Sequence, residues 1–333
     1  MTIREHVALA QAAESAGFDQ YWVANDLMIR SAPVILAAVA QGTSRIEIGS
    51  CIMNPFTVNP AEIAMFAASM DELSGCRFNL GFAAGAGEFL NWIGIDQPSP
   101  LAAVRESVAA IRLLLEGKTA RMDGRFLKWS DAAYLRFPAP RVTPIYIGAS
   151  GPLMLKLAGE IGDGVLPLLF PPEHYANVRP LIDQGLAIRQ EGRGGCDIVG
   201  SIWASLGGDR DAAKRLLAEK IAIYGSALAP IVLEQLGLTR ADFEGIDAAL
   251  VGNNDMDSAV SLVSNQMLKI GIVGSAEDII ERLEPIVAAG LRHISFGPPL
   301  GPDRLEAIEL IGRHIIPHFR KKQGDPGSKR AET

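Results

Sequence analysis

PIYIGASGPLMLKLAGEIGDGVL, Pro144 to Leu166, is the stretch whose reading decides the fold. Pro144-Ile145-Tyr146-Ile147 is a short apolar run of β-branched and aromatic residues, the composition of a buried strand. Gly148-Ala149-Ser150-Gly151 turns the chain with small residues, and Pro152 stands where a helix would begin, a position that needs no N–H. Leu153 to Ile161 carries apolar residues at helical spacing. Gly162-Asp163-Gly164 then stops the helix before a second apolar run, Val165-Leu166-Pro167-Leu168-Leu169. The unit is strand, glycine-rich turn, helix, strand. Free N–H groups at a helix start with no bulky side chain before them suit an anion. A tight turn that needs glycine for steric reasons alone fits the same residues, and both readings stay open.

Working outward, the same alternation recurs. Residues 3–17 are expected to form an amphipathic helix ended by Gly17, and Phe18 to Ala24 a strand leading into Asn25-Asp26. Pro33 to Gln41 reads as a helix, Arg45 to Met53 as a strand broken by Asn54-Pro55, and Pro60 to Leu73 as a helix stopped by Gly75. Phe78 to Ala84 is a strand running into Gly85-Ala86-Gly87-Glu88, and Leu101 to Leu115 a helix followed by an irregular stretch to Val142. Beyond the opening unit come a helix from Pro180 to Gln190, a strand from Asp197 to Leu206 and a helix from Asp211 to Tyr224. Residues 226–270 read as a helical insertion. Ser275 with Glu277-Asp278 opens a helix, Arg292 to Phe296 is a strand ending at Gly297-Pro298-Pro299, and Pro302 to Phe319 is the last helix. The tail from Gln323 is polar and expected to be disordered.

Strict β, α alternation over some 300 residues calls for a parallel sheet with helices outside it, and eight such units for a (β/α)8 barrel. In that fold Asn25-Asp26, Cys51 to Asn54, Gly85 to Glu88, Gly148 to Gly151 and Gly297-Pro298 all follow strands and converge on one mouth. Seven strands are legible, and the chain opens on a helix, so a first strand is expected to be missing. Residues 1–322 are read as a single domain.

Composition narrows the partners. The 333 residues carry a net charge of −7 and 48% hydrophobic residues, enough for a large core, and Arg320-Lys321-Lys322 is the one basic run. Nucleic acid is therefore not an expected partner. No apolar run is long enough to span a bilayer, and the first residues lack a signal peptide's apolar block. Cys51, Cys76 and Cys196 are scattered with no CxxC pair, which fits a reducing cytoplasm. His314 and His318 are four apart, but Pro317 intervenes and no acidic ligand completes a set, so no metal is expected. GxG at residues 85–87 lacks the third glycine and the acidic partner of a dinucleotide site.

The segments GFDQYWVAND (17–26), GTSRIEIGSCIMNPFTVNPAEIA (42–64), DELSGCRFNLGFAAG (71–85), PIYIGASGPLMLKLAGEIGDG (144–164) and GPPLGPDRLEAIELIG (297–312) together resemble the bacterial luciferase-like superfamily of flavin and deazaflavin oxidoreductases. The resemblance is strongest to its coenzyme F420-dependent branch, typified by methylenetetrahydromethanopterin reductase. It implies a (β/α)8 barrel, a homodimer, and an isoalloxazine-like ring held in the mouth. It also implies a non-prolyl cis peptide at Cys51–Ile52 forming a bulge against the ring, with Asn54 at the ring's polar edge. Gly148, Ala149, Ser150 and Gly151 match the family's phosphate-binding turn. Ala84 and Gly85 lie where relatives make backbone contacts, and Glu88 matches a carboxylate that is an acid/base in some of them. On residue type alone Cys51 reads as a buried small hydrophobe, Asn54 as a turn residue and Glu88 as a helix-start charge.

Asn25-Asp26 departs from the family pattern, since several deazaflavin enzymes carry Asp-His there. Asp26 takes the proton-handling role if desolvation raises its pKa, or pairs with Arg30 and serves structure. The leading expectation is a coenzyme F420-dependent oxidoreductase passing hydride between the cofactor and a small organic substrate. The alternative is an FMN-dependent luciferase-like monooxygenase, and the third is a non-catalytic barrel subunit.

Overall fold

Thr2 opens the first helix with a reciprocal cap: its hydroxyl accepts from the Glu5 N–H, and the Glu5 carboxylate accepts from the Thr2 N–H at 2.6 Å. The computed structural model describes residues 1–253 and 255–322, so the expectation for the tail from Gln323 falls outside it. Contacts divide the chain into two units, Met1–Pro167 with Val178–Ile198, and Leu168–Asn177 with the chain from Val199 onward.

The first unit alternates as its sequence requires. Helix α1 (Ile3–Ala16) ends on Gly17 in the left-handed conformation, and strand β1 (Gln20–Ala24) follows. Then come α2 (Ala32–Gly42), β2 (Glu47–Cys51) and α3 (Pro60–Ser74), whose first turn is capped by Asn59 Oδ1 accepting from the Ala61 N–H at 2.9 Å. Strand β3 (Phe78–Phe82) is buried along its whole length, as expected of a strand covered on both faces. It is followed by α4 (Gly87–Asn91) and α5 (Pro100–Leu115). A small antiparallel pair, β4 (Met122–Asp123) and β5 (Lys128–Trp129), lies in the stretch read as irregular. Two residues per strand carry no legible periodicity. The unit is completed by β6 (Ile145–Ala149), α6 (Pro152–Ile161), β7 (Gly164–Pro167) and α7 (Tyr175–Leu186) from Val178 onward.

Its strands pair in the order β1, β2, β3, β6, β7, all in parallel, and β7 pairs in turn with Asp197 and Ile198 at the start of β8 (Asp197–Leu206). Ala24 lies beside Cys51, Phe82 beside Ile147 and Ala149 beside Pro167. Parallel register therefore brings the residues after β1, β2, β3 and β6 out along one edge of the sheet, and this is what assembles the site.

In the second unit β8, from Val199, pairs in parallel with β9 (Ile272–Gly274) and with β10 (His293–Leu300). β9 was not anticipated. It is three residues long, preceded by Gly271 and ending on Gly274, too short for a periodic signal. The segment read as a helical insertion is helical: α9 (Pro230–Glu234), α10 (Glu244–Asn253) and α11 (Met256–Ser261) join α8 (Arg210–Tyr224) around Leu217, Ile221, Leu233, Phe243, Ile246 and Met267. α12 (Ala276–Ala288) starts on the anticipated Ser275–Asp278 capping box.

Two helices depart from expectation at proline. α7 starts at Tyr175 and carries Pro180 inside, because a short 3-10 turn at Pro172–His174 starts the helical path earlier. The last helix divides into α13 (Arg304–Leu310), a π turn (Ile311–Ile315) and α14 (Ile316–Lys322). Pro317 has no N–H to give the preceding turn, and widening the helix by one residue absorbs that loss. His318 Nε2 lies 3.0 Å from Glu284 Oε1.

Candidate functional site

The site is built in the first unit, where β1 and β2 end side by side. The Asn25 N–H donates to the Cys51 carbonyl at 2.8 Å, and Asn25 Nδ2 donates to the Ile52 carbonyl at 3.0 Å. The peptide bond between Cys51 and Ile52 is cis, as the resemblance implies. Two residues on, Asn54 is buried, and its Oδ1 accepts from the Phe56 and Thr57 N–H groups at 3.1 and 3.0 Å. That is the turn role read from residue type. It also fixes the amide plane, so that Nδ2 remains a donor with no protein acceptor among the described residues.

Strand β3 delivers the next pieces beside them. The Ala83 N–H donates to the Met53 carbonyl at 3.0 Å, and the chain turns at Gly85 with φ +83°. A Cβ at Gly85 would lie 3.2 Å from Asn54 Cγ, so both its conformation and its close approach call for glycine. From β6, Gly148 packs equally tightly, since a Cβ there would lie 3.2 Å from both Ile52 Cγ2 and Ala83 Cβ. Asn25, Cys51, Ile52, Asn54, Gly85 and Gly148 thus lie close together where β1, β2, β3 and β6 end, with Ala84 in the chain between Ala83 and Gly85.

Beyond Gly148, Ala149 is buried, Ser150 is exposed and Gly151 caps α6. Gly151 differs from Gly148 in kind. Its φ is −84°, a conformation open to any residue, and a Cβ would meet nothing within 4 Å. No side chain caps the helix, Pro152 occupies its first position, and the first bonded amide is Leu155 N–H to the Gly151 carbonyl at 2.9 Å. The Leu153 and Met154 amides are left without intrahelical acceptors. The chain's own packing needs no glycine at 151, and the start of α6 is left open. The steric reading holds for Gly148 and fails for Gly151.

The titratable groups are arranged around these strand ends, not locked into them. Asp26 is exposed, its Oδ1 accepts from the Leu27 N–H at 2.9 Å, and among the described residues it makes no ion pair with Arg30. Glu88 is exposed in the first turn of α4. Cys51 is exposed as a residue, although protein crowds its sulfur. The protein around its sulfur disfavours a charge there, and desolvation pushes the thiol up to about 11. It stays a neutral thiol at physiological pH.

Two features escaped the sequence reading. Gln97, on the return leg of the loop after β3, donates Nε2 to the Ala84 carbonyl at 2.6 Å and to the Gly85 carbonyl at 2.9 Å. At the opposite strand ends, the Tyr146 hydroxyl lies 3.2 Å from Asp197 Oδ2 and 3.5 Å from Gln20 Nε2, while Gln20 and Asn79 both donate to Glu47 Oε2 at 2.8 Å. Burial, then the Asp197 charge, push the Tyr146 phenol well above its ordinary value. Neither group follows a spacing rule: Gln97 closes back on its own loop across 12 and 13 residues, and the Tyr146 group joins residues from different strands. Gly297-Pro298 lies in the second unit on β10, at a register shift beside the cis Pro298–Pro299 bond.

The strand ends thus present an oriented amide donor, Asn54 Nδ2, and a helix start that no side chain caps. Those are the contacts that a flat heterocycle bearing a phosphate needs.

A family model described as luciferase-like monooxygenase matches residues 1–293. The chain is 36% identical over 314 residues to a 5,10-methylenetetrahydromethanopterin reductase of Archaeoglobus fulgidus, covering 92% of this chain and 93% of that one. It is 30% identical over 336 residues to an F420-dependent glucose-6-phosphate dehydrogenase of Amycolatopsis mediterranei, covering 95% of each. Among solved structures, the coenzyme F420-dependent tetrahydromethanopterin reductase of Methanopyrus kandleri superposes with a TM-score of 0.88 over 96% of each chain, at 29% identity.

Proposed function

The chain belongs to the luciferase-like monooxygenase family, and on that premise we propose that it is a coenzyme F420-dependent oxidoreductase moving hydride between the cofactor and a small organic substrate. Its fold class is the luciferase-like (β/α)8 barrel. The choice of deazaflavin rests on the F420-dependent relatives, which match nearly the whole chain. The observation in the molecule that carries the reading is the start of α6, where Gly151 keeps clear a space that the chain itself does not use.

When bound, the deazaflavin supplies a carbon centre that accepts and returns hydride. The protein's part is placement and exclusion. Cys51 and Ile52 would support the ring, and Asn25 pins their backbone through two hydrogen bonds. Asn54 Nδ2 would be available to donate to the ring, and the Leu153 and Met154 amides with Ser150 would hold the phosphate. Asp26 and Glu88 are the carboxylates assigned to proton transfer at the substrate. The neutral Cys51 thiol adds no charge beneath the ring. We read residues 1–322 as one functional domain and the protein as a cytoplasmic homodimer. The scattered free cysteines support the compartment, and among the described residues no helix is long and apolar enough to cross a membrane. Light scattering tests the dimer.

The decisive test is fluorescence titration of the purified protein with coenzyme F420 and, separately, with FMN, followed by turnover with the methylene-tetrahydropterin that names the relatives. Tight F420 binding with weak FMN binding is expected. Preference for FMN would overturn the deazaflavin assignment.

A further inference from the structure

We propose that Gln97 is a positioning residue that turns the Ala84–Ala86 backbone into a donor cradle for the acceptor-rich edge of the cofactor ring. This rests on the F420 reading above. A primary amide has two N–H donors, and Gln97 gives them to two successive carbonyls, Ala84 at 2.6 Å and Gly85 at 2.9 Å.

Across a trans peptide the C=O and N–H point in opposite directions. Drawing the Ala84 and Gly85 carbonyls toward Gln97 therefore turns the Gly85 and Ala86 N–H groups away from it together. The left-handed conformation of Gly85 fits this, because such turns let successive N–H groups face one concavity. Neither N–H has a protein acceptor among the described residues. Gly85 also abuts the Asn54 amide, with a Cβ position 3.3 Å from Nδ2, so this turn adjoins the one side-chain donor already assigned to the ring edge. Gly87 completes the arrangement, since a Cβ there would come within 3.2 Å of Gln97 Oε1. The glycines of the 85–87 GxG thus admit Asn54 on one side and Gln97 on the other.

Without Gln97 the two carbonyls lose their donors and the peptides are free to rotate, which presents oxygen lone pairs where the ring edge needs N–H groups. Leucine removes the donors. Glutamate keeps the shape but opposes oxygen to oxygen. Lysine restores N–H donors on a different frame.

The test is direct titration of intact protein with coenzyme F420 by fluorescence quenching, on wild type, Gln97→Leu, Gln97→Glu and Gln97→Lys, with circular dichroism and thermal melting on each. Expected is a Kd raised about tenfold in the leucine and glutamate variants, the effect of about one net hydrogen bond to a ligand, and within about threefold of wild type for lysine. The KM for the cofactor is expected to rise in step with Kd while kcat at saturation holds, a split that general loosening of the loop would not give. If wild type binds F420 and folded Gln97→Leu binds it equally well, the positioning role is wrong. A lysine variant as weak as the leucine variant also overturns it, since donors then do not matter. If wild type fails to bind F420 at all, the parent reading fails and this one with it.

Discussion

Gly151→Asp separates what the helix start does for the fold from what it does for a ligand, because the two effects have opposite signs. Gly151 is the N-cap of α6, and its conformation suits any residue. Aspartate is among the preferred N-cap residues, and its charge complements the helix dipole. The fold should therefore be as stable as wild type or better by up to about 1 kcal/mol, which for a chain of this size raises Tm by roughly 1–2 °C. The ligand experiences the reverse. A carboxylate held about 6 Å from a phosphate at an effective dielectric of about 20 repels it by roughly 3 kcal/mol per unit charge, or about 100-fold in Kd. Gly151→Asn is the control, a good cap of nearly the same size without the charge. Melting and F420 titration are measured on all three proteins at low and high salt. Expected is a Tm held or raised in both variants, with affinity lost mainly in the aspartate variant and partly restored by salt. Equal losses in both variants would show that bulk, not charge, is excluded. Undiminished binding by Gly151→Asp would refute the phosphate site altogether.

Gly148→Ala should behave in the opposite way: its Cβ meets Ile52 and Ala83 at 3.2 Å, so denaturant unfolding should show a loss of about 1–3 kcal/mol. Glu14 gives a pH test. Desolvation raises its carboxyl, but hydrogen bonds from Ile46, Arg45 and Ser44 outweigh this and bring it down to about 2 from 4.5. A depressed folded-state pKa gives stability that is present above about 4.5 and lost as pH falls toward about 2, so Glu14→Ala should flatten the urea midpoint across that window. Cys51 alkylation by iodoacetamide should be slow at pH 8, where roughly one thiol in a thousand is ionised, should climb toward pH 11, and should be blocked by bound F420. Fast alkylation at pH 8 would contradict the assigned environment. Of the two carboxylates, the one that handles the proton should, as its amide (Asp26→Asn or Glu88→Gln), lower kcat and flatten the pH profile at unchanged F420 affinity.

The elements of the first unit were legible because each is announced within one or two turns of chain. Apolar spacing at helical period and the glycines at 17 and 75 mark the helices locally, while the Thr2–Glu5 and Asn59 caps that start two of them came only with the structure. The cis bond at Cys51–Ile52 was legible only through family likeness, since nothing in Ser-Cys-Ile-Met asks for it. β9 and the β4–β5 pair were missed because three or two residues give no period, and the helix start expected at Pro180 and the unbroken helix expected through Pro317 were misjudged because a proline's cost depends on the turn before it.

The sequence by itself determined the alternation of strands and helices, the glycine-rich turn and the family, since periodicity, caps and motifs are local properties written in consecutive residues. Only the tertiary structure decided that Gly148 is packed and Gly151 is open, although the two stand three residues apart in one motif. It alone joined Asn25 to Ile52, divided the Asn54 amide between turn and site, and brought Gln97 back across 12 and 13 residues onto Gly85 and Ala84. Those meetings depend on parallel register, which sets several strand ends along one edge at once, and no single segment of the chain contains that information.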